Sequence, residues 1–175
     1  LYDTDTSGSA ARNFGNDMAL TAGDTVFGFS GRFYPADLKP NATLSFTVNG
    51  LPNVTGGGND MILVTPQRIE IRKDTFDGTT WTKGLVAAKN IPATPGWINF
   101  TVITDVSNTS SYSQTVWIDG VKFGPYSIQP PSTIVTPNNM RFRSWLRKFS
   151  GSTVYVDDLT IFTPNSVLNL VSSAP

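Results

Sequence analysis

Residues 42–50 read "ATLSFTVNG", and their alternation decides the fold class: Leu44, Phe46 and Val48 fall on one face of an extended chain, Thr43, Ser45 and Thr47 on the other. The stretch ends on Asn49-Gly50, a favoured two-residue hairpin turn, so a returning strand is expected directly after it. Residues 113–124, "SQTVWIDGVKFG", repeat the pattern around Asp119-Gly120. Working outward, further strand candidates are "DTVFGFSGRFY" (24–34), "DMILVTP" (60–66), "QRIEIRK" (67–73), "TTWTKGLVAA" (79–88), "WINFTVITD" (97–105), "NMRFRSWLRK" (139–148) and "STVYVDDLTIF" (152–162). No segment sustains a helical stripe, and Pro or Gly interrupts almost every window long enough for one. About ten strands at this spacing predict an all-β fold, a two-sheet antiparallel β-sandwich or jelly roll, as one domain over 1–163 with a C-terminal tail at 164–175.

Composition agrees. The 175 residues include 11 Phe, 5 Tyr, 4 Trp, 15 Gly and 12 Pro, with only 15% charged, a balance that favours strands and turns. A chain of this length buries about two-thirds of its unfolded surface and needs no disulfide staple. Thirteen basic and 13 acidic side chains cancel, so no global field steers the protein to nucleic acid or an anionic membrane. The absence of Cys and His excludes thiolate catalysis, Cys- or His-ligated zinc and a Ser-His-Asp triad. No apolar run is long enough to span a bilayer, and residue 1 is Leu rather than Met; the expectation is a processed or excised extracellular or cell-surface piece. Sequons at Asn41, Asn53, Asn99 and Asn108 fit that setting and carry little weight in a chain so rich in Asn, Ser and Thr.

With the strands laid out, "LYDTDTSGSAARNF" (1–14), "FSGRFYPADLKPNATLSFTVNG" (29–50), "WINFTVITDVSNTSSYSQTVWIDGVKFG" (97–124) and "SGSTVYVDDLTIF" (150–162) resemble, in that order, the concanavalin A-like, laminin-G-like sandwich superfamily, as accessory modules of bacterial surface and polysaccharide-active proteins. The resemblance implies a jelly roll; the leading function, a non-catalytic extracellular module for glycan binding or surface adhesion, rests on the arginine row described below and on the lack of catalytic residues. Such modules usually carry one more strand before the position of Leu1, pairing near the last strand, so an open edge is expected there. The apolar tail "SVLNLVS" (166–172) would fill it within its own chain or in a neighbouring subunit, the latter making a fibre by strand exchange. The opening "LYDTDTS" also resembles the mature N-terminus of TasA-like fibre proteins.

Three constellations could carry chemistry. In "MRFRSWLRK" (140–148), Arg141, Arg143, Trp145 and Arg147 share one strand face, a row of guanidinium groups around an indole that suits the carboxylates and rings of an acidic polysaccharide. The plainer reading has the Arg stems cover Trp145 and pair with Asp or Glu70 on a neighbouring strand. At the chain start, Asp3, Asp5, Ser7 and Gly8 match the first half of an EF-hand loop, but Phe14 stands where the bidentate Glu belongs. The superfamily resemblance would instead bring Asp157 and Asp158 near Asp3 or Asp5 as a calcium site, against a polar strand edge as the alternative.

In "QRIEIRK", Arg68, Glu70 and Arg72 share a face, and the Arg-x-Glu-x-Arg spacing resembles a signature of jelly-roll alginate lyases. Their Lys-x-Gly-x-Tyr-x-Gln strand is matched by Lys122, Gly124 and Tyr126, with Gln129 one residue late, and their catalytic His has no counterpart. A lyase is therefore the third reading. Trp81, Trp97 and Trp117 could each line a sugar platform, with the core expected to claim at least two.

Overall fold

The computed structural model describes residues 2–3, 9–18, 25–40, 42–49, 59–76, 81–105, 107–108, 110–128, 140–147, 152–164 and 166–169. Their strands are β1 (Tyr2–Asp3), β2 (Ser9–Met18), β3 (Val26–Asp37), β4 (Thr43–Asn49), β5 (Asn59–Val64), β6 (Arg68–Phe76), β7 (Trp81–Asn90), β8 (Ile98–Asp105), β9 (Tyr112–Ile118), β10 (Val121–Ile128), β11 (Met140–Arg147), β12 (Ser152–Thr163) and β13 (Ser166–Asn169). Every strand expected from alternation is present. They form two antiparallel sheets: a front sheet in the order β2-β11-β4-β5-β6-β7 and a back sheet in the order β1-β12-β3-β8-β9-β10, with β13 also paired to β12. No helix among the described residues is long and apolar enough to cross a membrane.

Period-two patterning builds the layer between the sheets. In β9 every second residue from Tyr112 to Ile118 is buried, and β8 keeps the same rhythm from Ile98. The centre is aromatic: Phe46 of the front sheet inserts among Phe29, Phe33 and Phe100 of the back sheet, its ring centroid 4.4 Å from that of Phe100 and 5.6 Å from that of Phe33. Interdigitated rings of this kind set the spacing of roughly 10 Å between packed sheets. A polar pocket is closed within the same layer. Tyr126 Oη donates to Gln114 Oε1 at 2.7 Å, and Gln114 Nε2 donates to Thr104 Oγ1 at 3.1 Å. Burial raises the Tyr126 phenol well above its ordinary range.

The Asp119-Gly120 turn forms as expected. Val121 pairs with Ile118, and Asp119 and Gly120 hold φ values of 48° and 77°, the left-handed pair a type I′ turn requires. Asp119 also accepts a bond from Asn99 N at 2.9 Å, tying the turn to the start of β8.

Beyond Asn49 the strand partner is not the one a two-residue turn at Asn49-Gly50 gives. A two-residue turn there would set Val48 against Leu51, whereas Val48 pairs with Asn59, and residues 50–58 lie outside the described residues. Register is fixed by burying Leu44, Phe46, Ile62 and Val64 together, which outweighs a local turn preference.

The tail also resolves. Residues 166–169 turn back on β12, setting Leu168 opposite Ile161 and Val167 opposite Phe162 within the same chain, while β1 covers the other end of that strand at Ser152 and Thr153.

Two of the three tryptophans expected to favour the core do otherwise. Ile98 and Phe100, and Val116 and Ile118, take the inward positions, so Trp97 and Trp117 fall on the outer face; Trp97 is 44% exposed and Trp117 half-buried. The side chain of Trp81 lies outside the described residues.

Candidate functional site

Among the described side chains, β6 carries a charged cluster on the outer face of the front sheet. Thr65 caps the β5–β6 turn: its backbone N–H donates to Arg68 O at 2.9 Å, and its Oγ1 accepts from Arg68 N at 3.1 Å. This turn fixes the phase of the strand that follows. Ile69 and Ile71 face the core, so Arg68, Glu70 and Arg72 face outward.

There they form a ladder. Arg68 Nε donates to Glu70 Oε1 and Arg72 NH1 to Glu70 Oε2, each at 2.7 Å. The Glu70 side chain is 8% exposed and that of Arg72 12%, whereas Arg68 stays 48% exposed. Arg72 Nε is buried without a hydrogen-bond partner among the described residues. The ladder carries one net positive charge and keeps free donors on Arg68. Both Glu70 oxygens already accept from arginine, which leaves neither placed to take a proton from a sugar.

Strand register joins this ladder to the row on β11. Glu70 is opposite Leu63, Leu63 opposite Ser45, and Ser45 opposite Trp145. Three strand spacings of about 4.8 Å set the Trp145 and Glu70 positions roughly 14 Å apart. Positions 141, 143, 145 and 147 pair with Asn49, Thr47, Ser45 and Thr43, in the register that alternates with the core-facing Leu44 and Phe46. The side chains of Arg141, Arg143, Trp145 and Arg147 lie outside the described residues. Midway along the row, Ser45 Oγ is buried with no hydrogen-bond partner among the described residues. An unpartnered buried hydroxyl costs about 1–3 kcal/mol.

The lyase-like residues do not assemble around this ladder. Lys122, Gly124 and Tyr126 lie on β10, the edge of the back sheet, whereas Arg68, Glu70 and Arg72 lie on the front sheet. Tyr126 points between the sheets to Gln114, and Lys122 sits over the Trp117 ring, 5.9 Å from its centroid. Gly124, with φ of 97°, belongs to a register shift between Phe123 and Tyr126. Gln129 lies outside the described residues.

The calcium residues are likewise separated. Asp3 is at the register position of Ser152, five strand positions or roughly 16 Å along β12 from Asp157. Asp5 lies outside the described residues. Asp157 and Asp158 instead clasp Arg32: Arg32 NH2 donates to Asp157 Oδ2 at 2.9 Å, and Arg32 Nε lies 2.8 Å from Asp158 Oδ2. The Arg32 hydrogen bond holds the Asp157 carboxyl below the usual aspartate range, helped by a bond from the Asp158 backbone.

A β-bulge brings the two carboxylates together. The pairing of β12 with β3 shifts register between Asp157 and Thr160, and Asp158 takes a φ of 53°, so neighbours in sequence reach the same arginine. Sequence reading weighed these aspartates as metal ligands against a polar strand edge and missed Arg32; the only available signal was an arginine midway along a strand rich in aromatic residues.

The fold has known counterparts. An alginate lyase from Pseudomonas aeruginosa superposes with a TM-score of 0.50 at 8% identity, over 80% of this chain and 65% of the lyase, so this chain spans under two-thirds of that protein. A family 18 polysaccharide lyase aligns with a TM-score of 0.45 at 10% identity, over 80% of this chain and 72% of that one. Sheep galectin-11 aligns with a TM-score of 0.39 at 12% identity, over 84% of this chain and 95% of that one. No protein-family model and no curated protein sequence matches the chain. The architecture is thus a two-sheet antiparallel jelly-roll sandwich, a fold shared with the alginate lyase, and the TasA-like likeness of the N-terminus finds no support among these structures.

Proposed function

We propose that the protein is a non-catalytic glycan-binding module, acting outside the cell or at its surface, whose front sheet holds an acidic polysaccharide. The observation that carries this reading is the Arg68–Glu70–Arg72 ladder, placed by strand register across the same outer face as the arginine positions of β11. Planar guanidinium forks recognise carboxylate or sulfate in two-point contacts, and the half-exposed Arg68 has donors to spare. On the sequence pattern, Trp145 is the aromatic position of that row, and an indole suits a pyranose ring.

The same residues support the non-catalytic reading. Glu70 is engaged at both oxygens, Tyr126 is turned into the interior, and the chain has no His. Retardation of the protein in native gels containing alginate, a uronate polymer, tests the reading. Arg68→Ala and Arg143→Ala should each weaken retention by about 1–3 kcal/mol, the scale of charge-assisted hydrogen bonds, and added salt should weaken it further. Failure of the wild-type protein to bind any uronate or sulfated polymer at low salt would refute the site. Release of unsaturated, ultraviolet-absorbing product would replace it with the lyase reading.

A structural subunit joined by exchange of the tail strand is a second reading, favoured by one observation. The β13 strand is only four residues long, and residues 166–169 of a neighbouring copy could reproduce its pairing with β12. Light scattering at rising concentration tests it, with polymers that vanish when residues 165–175 are removed as the expected result; polymers that survive the truncation refute it.

A further inference from the structure

The outer face of the back sheet, on the far side of the sandwich from the arginine ladder, carries aromatic rings where a solvated sheet would carry Thr and Lys. Tyr155 of β12 is directly opposite Tyr34 of β3, and Trp97 stands next to Tyr34 just before β8 begins. Their centroids are 6.1 Å and 6.0 Å apart in sequence along the row. Tyr155 is 55% exposed and Trp97 44%. Exposed rings contiguous across neighbouring strands and rimmed by charge mark a recognition surface more often than they mark chance.

The rim has a definite chemistry. Asp157, Arg32 and Asn99 form the next row, by register, across the same three strands. Arg32 lies 4.7 Å from the centre of the Trp97 ring while its guanidinium is held by both aspartates. The bulge at Asp158 therefore does more than join an ion pair: it fixes the arginine that fixes the indole. One guanidinium against two carboxylates leaves the rim with a net negative charge, which repels uronate or sulfate. Carboxylates accept hydrogen bonds from hydroxyl groups, and the side chain of Asp158 is 49% exposed.

At the same end of the sandwich, where β3 runs on from Tyr34 and the chain enters Trp97, lies an open cavity of about 300 Å³. Pro35, Leu38, Ile91, Pro92 and Pro95 form its apolar walls, with Gln67 among its polar groups. Its size and lining sit at the small end of the range for ligand pockets.

We propose that this face is a second carbohydrate site that takes a neutral polysaccharide. Pyranose rings stack on Tyr155, Tyr34 and Trp97, their hydroxyls donate to Asp157 and Asp158, and the cavity receives the unit beyond Trp97. The two sheets thus bind glycans of different charge, one anionic and one neutral, and the protein bridges two polymers.

The test is affinity electrophoresis of the full chain in native gels containing hydroxyethyl cellulose, galactomannan or laminarin, with sedimentation analysis alongside. Retardation by at least one of these polymers is expected, insensitive to salt and to Arg68→Ala, and at least tenfold weaker in Tyr155→Ala and in Trp97→Ala. Thermal melts guard against misfolding, and the exposed Tyr155 is the safer of the two changes. Three results overturn the proposal: no retardation by any of the three polymers, retardation unchanged in a folded Tyr155→Ala protein, or a monomer–dimer equilibrium that Tyr155→Ala abolishes, which would give the face to a second copy of the chain. Because the variants and polymers differ from those that test the front sheet, either site can fail alone.

Discussion

Replacing Glu70 with Gln separates what the arginine ladder does for the fold from what it does for a ligand. The Glu70 side chain is 8% exposed and accepts one bond from each flanking arginine. Removing one partner of a buried ion pair costs about 3–5 kcal/mol. Gln keeps the carbonyl oxygen, so one of the two bonds survives. The half-exposed Arg68 side of the ladder also counts for less, because solvent screens it. A net loss of about 2–3 kcal/mol is the result. With a denaturant slope of about 2 kcal/mol per molar in urea, the unfolding midpoint should fall by roughly 1 M or slightly more.

Binding should move the other way. The ladder gains one positive charge, and one unit of charge about 5 Å from an anionic group in a watery environment contributes on the order of 1 kcal/mol. Affinity for alginate should therefore rise roughly fivefold while stability falls, with a steeper dependence on salt. Urea melts followed by circular dichroism and calorimetric titration at two salt concentrations read both effects on one preparation. Unchanged stability would show that the ladder is not formed, and a fall in affinity in a folded variant would refute the assignment of the ladder to anion binding.

Three further changes probe the scaffold. A β-carbon at Gly28 would lie 2.0 Å from the Phe162 ring, so Gly28→Ala should destabilise by about 1–3 kcal/mol, and Phe162→Leu should restore part of the loss in the double variant; additive costs in the thermodynamic cycle would count against the contact. Tyr126→Phe leaves Gln114 Oε1 without its donor and should cost about 1–2 kcal/mol at pH 7. Because burial raises the Tyr126 pKa, the wild-type contribution is complete below pH 10, the ordinary phenol value, and fades as pH rises above it; the gap between the two proteins should narrow in alkaline melts. Asp157 has a lowered pKa, so its clasp on Arg32 is fully present above about pH 3.9 and is lost as pH falls below that value. Asp157→Asn should blunt the acid loss of stability between about pH 4 and pH 2, and an identical acid profile would refute the clasp.

Alternation made the sandwich legible because it records a physical fact about each strand, that one face is dry. Tyr112–Ile118 carries this signal without interruption, and Asp119-Gly120 adds a turn whose backbone requirements only a few residues meet. The same local logic failed at Asn49-Gly50, where a favourable turn yielded to the pairing that buries Phe46 beside Ile62. Turn preference is worth less than the burial of four core side chains. It failed again for Trp97 and Trp117, since aromatic size suggested burial while parity with Ile98 and Val116 sent both rings outward.

The candidate sites divide in the same way. Arg68, Glu70 and Arg72 could be read as a unit because all three lie on one strand. Relating them to β11 needed the register of two intervening strands, which no local pattern encodes. The Arg32 clasp was hidden more deeply, because a bulge breaks the alternation that a reader relies on, and because Asp157 and Arg32 are 125 residues apart. An Asp-Asp pair in a last strand reads as a metal site from sequence, and the fold sets both carboxylates against the Arg32 guanidinium.

The central claim is that the front sheet binds an anionic glycan. It is tested most directly by amide chemical-shift mapping of the isotope-labelled chain during titration with alginate oligosaccharides. Saturable shifts confined to β4, β5, β6 and β11, centred on Ser45, Leu63 and Glu70 and diminished by salt, are the result this account requires. Shifts confined to the back sheet around Tyr34 and Tyr155, or none at millimolar oligosaccharide, would contradict it.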